Sequence, residues 1–151
     1  MKIPYGRQDI NHDDIKSVVE VLESDWLTQG PSVEKFEDNI ALKCNSKAGA
    51  VAVNSATSAL HIACIALGLK QDDWLWTSPN TFVASANCAI YCGANVDFVD
   101  IHPETYNMCT ESLKRKLVEA KKLGRLPKIV MPVHFGGSSC NMEEIHNLSK
   151  K

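Results

Sequence analysis

The chain has 151 residues, 44% of them hydrophobic, and a formal net charge of −2 at pH 7. This length supports one ordinary hydrophobic core, so we expect a single domain or a piece of a larger one. The near-neutral charge excludes an extended nucleic-acid surface, because binding to a phosphate backbone needs an excess of basic residues.

The hydropathy pattern predicts no membrane-spanning helix, and the cysteine pattern indicates a reducing compartment. No apolar run approaches the roughly 18 residues of a transmembrane helix, and the first residues do not resemble a secretory leader. We therefore expect a cytoplasmic protein without a membrane partner. The six cysteines form no C-x-x-C pair, so we expect them to act as small apolar side chains, and we expect no metal site.

Two helices are predicted in the first third of the chain. The first is capped by Asn11 and carries an apolar stripe on one face. This stripe consists of Ile15, Val18, Val19 and Leu22. The second covers about 32–43 and is predicted to turn three apolar side chains inward, those of Val33, Phe36 and Ile40.

The loop between these helices, SDWLTQGP over 24–31, places Trp26 and Leu27 among polar residues. An exposed aromatic loop of this kind suits a contact with a ligand or a partner subunit. The alternative, in which Trp26 packs onto the core of its own chain, is equally compatible with the sequence.

From residue 50 onward, strands and helices alternate four times. The predicted strands cover 50–53, 74–77, 96–99 and 129–133. The predicted helices cover 57–67, 82–91, 110–123 and 141–151, so the last is expected to continue to Lys151. Short apolar strands joined by helices favour an α/β fold with a mostly parallel sheet. Asn141 and Glu144 are predicted to form a reciprocal cap at the start of the last helix.

The stretch from Ala50 to Gly68 is the strongest functional signal. An apolar run ends in the small, hydroxyl-rich turn Asn54-Ser55-Ala56-Thr57-Ser58, and a helix follows directly. The unpaired N–H groups and the positive dipole end of such a helix suit a phosphate group. The alternative is that Ser55 or Thr57 simply caps the helix.

Ligands of parallel α/β sheets bind beyond the carboxyl ends of the strands. The second of these ends carries Phe82, whose ring could stack on a planar cofactor or pack against its own helix. His134 lies at another strand end, where a lone histidine more often has a structural role than a functional one. Neither G-x-G-x-x-G nor G-x-x-x-x-G-K-[ST] occurs, so dinucleotide and nucleoside-triphosphate sites are disfavoured. Pyridoxal phosphate (PLP) suits the remaining features best, because its phosphate can bind at the start of a helix and its flat ring can lie against an aromatic side chain.

Several segments together resemble the DegT/DnrJ/EryC1/StrS family of nucleotide-sugar aminotransferases. They are IPYGRQ at 3–8, SDWLTQGP at 24–31, NSATSAL at 54–60, TSPNTFVASAN at 77–87, VDFVDI at 96–101 and PVHFGG at 132–137. The resemblance implies an aspartate-aminotransferase-like fold (fold type I). Residues 1–30 then form an arm, a helix and a substrate-contacting loop, and residues 31–151 begin the large PLP-binding domain.

The same resemblance implies roles for individual residues. Ala56 and Thr57 match positions that hold the cofactor phosphate, and Phe82 matches the residue that stacks on the pyridine ring. The positions that contact a nucleotide-sugar substrate are matched by Tyr5, Asp25, Trp26, Leu27, Thr28 and Ser55.

The resemblance also implies a reaction and partners. The enzyme would form a homodimer and transfer an amino group from glutamate to C4 of a UDP-linked 4-keto-6-deoxy-N-acetylhexosamine, in nonulosonic (pseudaminic) acid biosynthesis.

The catalytic residues of the family are expected outside this chain. The Schiff-base lysine and the pyridine-binding aspartate match no position here, and we expect both to lie beyond Lys151. None of the thirteen lysines present is a plausible substitute. We therefore expect an N-terminal part of a longer enzyme that is inactive alone. The alternative is a non-catalytic α/β phosphate-binding or interaction module.

Overall fold

The computed structural model describes residues 6–150. In this part of the chain the helices are α1 (His12–Leu22), α2 (Pro31–Lys43), α3 (Ala56–Ala66), α4 (Ala84–Tyr91), α5 (Thr110–Lys122) and α6 (Met142–Ser149). The strands are β1 (Trp74–Thr77), β2 (Asn95–Phe98) and β3 (Ile129–Met131), and a short 3-10 turn covers Phe135–Gly137. The chain divides into two compact units, residues 1–52 and residues 53–151.

In the first unit, the predicted cap of α1 is confirmed. The side chain of Asn11 accepts hydrogen bonds from the N–H groups of Asp13 (2.8 Å) and Asp14 (3.2 Å). Asn11 N in turn donates to the Asp14 carboxylate at 2.9 Å, which completes a capping box with Asp in the place of the usual Glu. Such a cap stabilises a helix by about 1 kcal/mol.

The prediction that α2 turns Val33, Phe36 and Ile40 inward is wrong for the described structure. Neither α1 nor α2 has a buried residue, and Phe36 is 56% exposed. The apolar residues have the period of a helix, but two short helices carry too little apolar surface to enclose a core.

The second unit contains a three-stranded parallel sheet in the order β2-β1-β3. β1 is central, with Leu75 opposite Val96 on one side and Ile129 on the other. Three of its four residues are buried because helices cover both faces of the sheet. The predicted α/β fold with a parallel sheet is therefore confirmed.

Alternating side chains of β1 enter two separate cores. Leu75 packs with residues of α3 and α4, including Cys64, Cys88 and Ala89. Trp76 packs on the opposite face with Val99 and with residues of α5 and α6, including Leu113 and Ile145. This alternation follows from the two-residue period of a strand, and it makes the unit a three-layer α/β/α sandwich.

The strand predicted over 50–53 is wrong. The segment has no strand assignment, and within residues 6–150 no strand pairs with it. Ala52 N donates instead to the carboxylate of Glu37 at 2.7 Å. An apolar, β-branched run has strand propensity, but it becomes a strand only where a neighbouring backbone accepts and donates its hydrogen bonds.

The last helix begins as predicted but ends earlier. Asn141 Oδ1 accepts the N–H of Glu144 at 3.2 Å, and the Glu144 carboxylate accepts a return bond from Asn141 Nδ2 at 3.1 Å. The reciprocal pair is therefore present, with the return bond from the side chain of Asn141 instead of its backbone. The helix expected to continue to Lys151 ends at Ser149, with Lys150 as its C-cap. Lys151 itself lies outside the described residues.

The cysteines behave largely as the sequence predicts. All six are free thiols, and Cys64, Cys88 and Cys140 are buried. Burial, together with the neighbouring Cys88 and Cys92, raises the pKa of the Cys64 thiol to about 12. A hydrogen bond with Ser112 lowers the pKa of Cys109.

The helices within residues 6–150 include none long and apolar enough to span a bilayer.

Candidate functional site

The turn before α3 is held by a network of hydroxyl groups. Ser55 is the N-cap, and its Oγ accepts the N–H of Ser58 at 3.2 Å. The Ser58 hydroxyl lies 3.0 Å from that of Ser55 and donates to Asn54 Oδ1 at 2.8 Å. Ser55 and Ser58 therefore use their hydroxyls within the turn and fix its conformation.

Ala56 and Thr57 carry donors that no described residue uses. Their backbone N–H groups, and the hydroxyl of Thr57, form no hydrogen bond with any residue in the range 6–150. Ala56 is exposed and Thr57 is half-buried, so a ligand can reach these groups. The positive end of the helix dipole lies at the same point. This arrangement suits an anion such as a phosphate.

Phe82 lies in the loop between β1 and α4 with 73% of its surface exposed. Its helix begins two residues later, at Ala84, and the Phe82 carbonyl accepts the N–H of Ser85 at 3.0 Å. The loop is anchored by Asn80, whose Nδ2 donates to the carbonyl of Tyr106 at 2.8 Å. The backbone is thus held while the ring remains available for a ligand.

The architecture places these groups at one edge of the sheet. Both α3 and α4 pack on the same face, and each leads into the amino end of the next strand. Phe82 follows the carboxyl end of β1. Since α3 leads into the amino end of β1 from the same face as α4, its first residues, Ser55, Ala56 and Thr57, point to that carboxyl edge as well.

The loop after β3 borders the same edge and is held by a residue that the sequence did not single out. Asn107 is only 5% exposed, and its Oδ1 accepts the N–H of Phe135 at 2.9 Å. Its Nδ2 donates to the carbonyls of Ser138 (3.1 Å) and Ser139 (3.2 Å). Asn107 follows Tyr106, which has a left-handed backbone with φ of 58°. No local pattern marks an asparagine in a polar connection as buried.

His134 has the structural role that the sequence favoured. Its Nδ1 accepts the N–H of Cys140 at 3.0 Å, which closes the turn over 134–140. In the neutral imidazole, this bond places the ring proton on Nε2.

Most of the residues predicted to contact a sugar substrate belong to the first unit, residues 1–52. Asp25, Trp26, Leu27 and Thr28 lie between α1 and α2, and Trp26 is 60% exposed. The alternative in which Trp26 packs onto its own core is therefore wrong for the described structure. Tyr5 lies outside the described residues.

Comparison with known families gives one match over almost the whole chain. Residues 8–151 match the model of the DegT/DnrJ/EryC1/StrS aminotransferase family. This match covers residues of both units.

Two curated relatives illustrate the range of the similarity. The chain is 40% identical over 150 residues to the UDP-4-amino-4,6-dideoxy-N-acetyl-β-L-altrosamine transaminase of Campylobacter jejuni, covering 99% of the chain and 38% of the relative. It is 41% identical over 143 residues to the spore coat polysaccharide biosynthesis protein SpsC of Bacillus subtilis, covering 95% of the chain and 35% of SpsC. The chain thus spans little more than a third of the length of these relatives.

A solved structure supports the fold. Spr1654 of Streptococcus pneumoniae, assigned as a sugar aminotransferase and solved in its PMP form, superposes with a TM-score of 0.84 at 27% identity. The superposition covers 98% of the chain and 36% of Spr1654, which has also been solved in its PLP form. The predicted aminotransferase fold is confirmed for this portion.

Proposed function

The chain belongs to the DegT/DnrJ/EryC1/StrS aminotransferase family, and we propose that it supplies the phosphate anchor and a substrate loop of a PLP-dependent nucleotide-sugar aminotransferase. The family match over residues 8–151 is the observation that carries this proposal. The geometry of the turn before α3 and of the loop after β1 supports it, since each retains unused binding groups.

The phosphate of PLP would bind at the start of α3. The N–H groups of Ala56 and Thr57 and the hydroxyl of Thr57 provide three donors without partners among residues 6–150. Hydrogen bonds to a charged phosphate oxygen are stronger than those between neutral groups. The turn needs no rearrangement, because Ser55 and Ser58 already fix it.

The pyridine ring of PLP would lie against Phe82. The exposed ring of this residue offers an aromatic face, and Asn80 anchors the loop that carries it. When bound, PLP supplies an electron sink that allows an amino group to move between substrates. The contribution of this chain is to hold the phosphate and to orient the ring.

The nucleotide-sugar would contact Tyr5, the loop over 25–28 and Ser55. Exposure of Trp26 and Leu27 leaves both side chains accessible to a substrate. The Ser55 hydroxyl already accepts the N–H of Ser58, so it offers a substrate only its remaining hydrogen-bonding capacity.

We infer the substrate from the relative in Campylobacter jejuni. The proposed reaction takes an amino group from glutamate and places it on C4 of a UDP-linked 4-keto-6-deoxy-N-acetylhexosamine, for nonulosonic (pseudaminic) acid synthesis in the cytoplasm. A homodimer would carry it out. The lysine that binds PLP covalently is proposed to lie beyond Lys151 and not to be among the thirteen of this chain, so residues 1–151 alone should be inactive.

Absorbance spectroscopy tests this proposal. The protein encoded by the whole gene and the chain of residues 1–151 are each mixed with PLP, dialysed and scanned in the visible range. We expect the whole protein alone to retain a band, glutamate to bleach it, and the UDP-linked 4-keto sugar to restore it with formation of an amino sugar. If the whole protein retains no band, the cofactor assignment fails and the non-catalytic binding module becomes the better explanation.

A further inference from the structure

The loop between α1 and α2 holds Trp26 by its backbone. Trp26 N donates to the hydroxyl oxygen of Ser24 at 3.1 Å, and that hydroxyl donates to the carbonyl of Val21 at 2.8 Å. Ser24 thereby ties the backbone of Trp26 to the last turn of α1. The indole remains 60% exposed, so the loop presents a large aromatic surface from an anchored backbone.

Gly30 leaves the space that the Trp26 side chain fills. A Cβ at position 30 would lie 2.6 Å from Trp26 Cβ, which is closer than real Cβ atoms approach, and would make a tight contact of 3.1 Å with Trp26 Cγ. The backbone conformation does not explain the glycine, because its φ of 173° and ψ of −176° are extended values open to any residue. The requirement for glycine here is therefore the close approach of Trp26.

We propose that Gly30 is a positioning residue that sets the indole of Trp26 against the uracil of the nucleotide-sugar. The proposal rests on the nucleotide-sugar function proposed above. An indole has a flat apolar face, and stacking on a base is an efficient use of an aromatic side chain held at the surface. A side chain at position 30 pushes the indole away from this position, so binding of the nucleotide weakens.

The effect should be confined to the nucleotide. Conversion of bound cofactor by glutamate requires the cofactor site and the amino donor, which the proposed function assigns to other residues. Gly30→Ala should therefore leave that half reaction unchanged, whereas a general loss of structure would slow both halves.

The test is a double-mutant cycle in the protein encoded by the whole gene, with UDP as the probe. Calorimetry should show a Kd for UDP about tenfold higher in Gly30→Ala than in the wild type, as expected for the loss of one base–aromatic stacking contact. Trp26→Gly removes the atoms that collide with a new Cβ. In that background, Gly30→Ala should change the Kd by less than about twofold, since no indole remains to be displaced.

Each outcome separates this inference from the proposed function. If the wild type retains PLP and reacts with glutamate, but Gly30→Ala binds UDP normally, Gly30 does not position Trp26. Three other results also overturn the inference. Equal weakening of UDP binding in both backgrounds means that Gly30 does not act through the indole, a slower glutamate half reaction in Gly30→Ala means that the change disturbs the structure generally, and a wild type that binds no UDP means that the indole does not bind uracil. A wild type that retains no PLP overturns the proposed function itself.

Discussion

Ser55 and Thr57 lie on the same turn, yet they use their hydroxyl groups differently. Ser55 caps α3 by accepting the N–H of Ser58, and this interaction belongs to the fold. The hydroxyl of Thr57 bonds to nothing within residues 6–150, and its N–H group is also unpaired. The cap and the proposed anion site therefore use different groups of neighbouring residues.

Replacing Thr57 by Val should weaken PLP binding with little effect on folding. The change removes one hydroxyl and keeps the shape of the side chain. A hydrogen bond to a charged group contributes about 1.5–3 kcal/mol, so the Kd for PLP should rise by roughly 10- to 100-fold. Equilibrium dialysis of the protein encoded by the whole gene measures this change.

Thr110→Val is the matched control for this prediction. Thr110 is the first residue of α5, is half-buried like Thr57, and has a hydroxyl without a hydrogen bond in the described part of the chain. We expect it to leave the PLP affinity unchanged. Equal losses in the two variants would show that Thr57 does not bind the phosphate.

The sequence predicted a phosphate site at the turn before α3, but it could not assign the roles of the hydroxyl groups in that turn. Ser55, Thr57 and Ser58 are all suited to an N-cap by residue type. Which one caps the helix depends on backbone angles at the entry to α3, and these are visible only in the structure. Gly30 was missed for a similar reason, because the atom that requires a glycine there belongs to Trp26, four residues earlier.

At the scale of elements, one buried amide joins two loops at the carboxyl edge of the sheet. Asn107 lies after β2, and its side chain bonds to three backbone groups of the 3-10 turn and its continuation, those of Phe135, Ser138 and Ser139. Buried polar side chains with all partners in place fix a single loop conformation. The hydrogen bonds of Asn107 therefore fix the two loops that border the proposed site.

Asn107→Ala should lower the free energy of unfolding by about 2 kcal/mol, because the substitution leaves the backbone groups it served without partners. Asn95→Ala is the control, since the Asn95 side chain is exposed and makes one long bond of 3.3 Å to the Asp72 carbonyl. We expect this control to change stability by less than about 0.5 kcal/mol. Urea unfolding of the protein encoded by the whole gene measures both, and similar midpoints would contradict the role of Asn107.

Elements with local signals were predicted well. β1 has the predicted bounds, and Gly68 ends α3 with the left-handed φ of 70° that its position indicated. Elements that depend on distant partners were predicted less well. The run over 50–53 has no paired strand among residues 6–150. The hydrogen bonds of Asn107 join residues about thirty positions apart, which no local pattern reveals.

At the scale of the whole molecule, the two units differ in how much they bury. β1 lies between two cores, with Leu75 in one and Trp76 in the other. The helices of the first unit bury no residue. Each exposes an apolar stripe, which includes Val18 in α1 and Phe36 in α2. Helices of this length gain most of their stability from packing rather than from propensity, so α1 and α2 should open easily.

Hydrogen exchange of the chain of residues 1–151 should therefore separate the units. Amides of α1 and α2 should exchange through local opening at a cost of about 1–2 kcal/mol, whereas those of β1 should approach the cost of global unfolding. Mass spectrometry of peptides from the two regions measures the difference, and dilution tests whether self-association contributes. Equal protection at every concentration would mean that the apolar stripes are covered within the chain. Protection of α1 and α2 that falls on dilution would mean that another copy covers them, as the proposed homodimer would require.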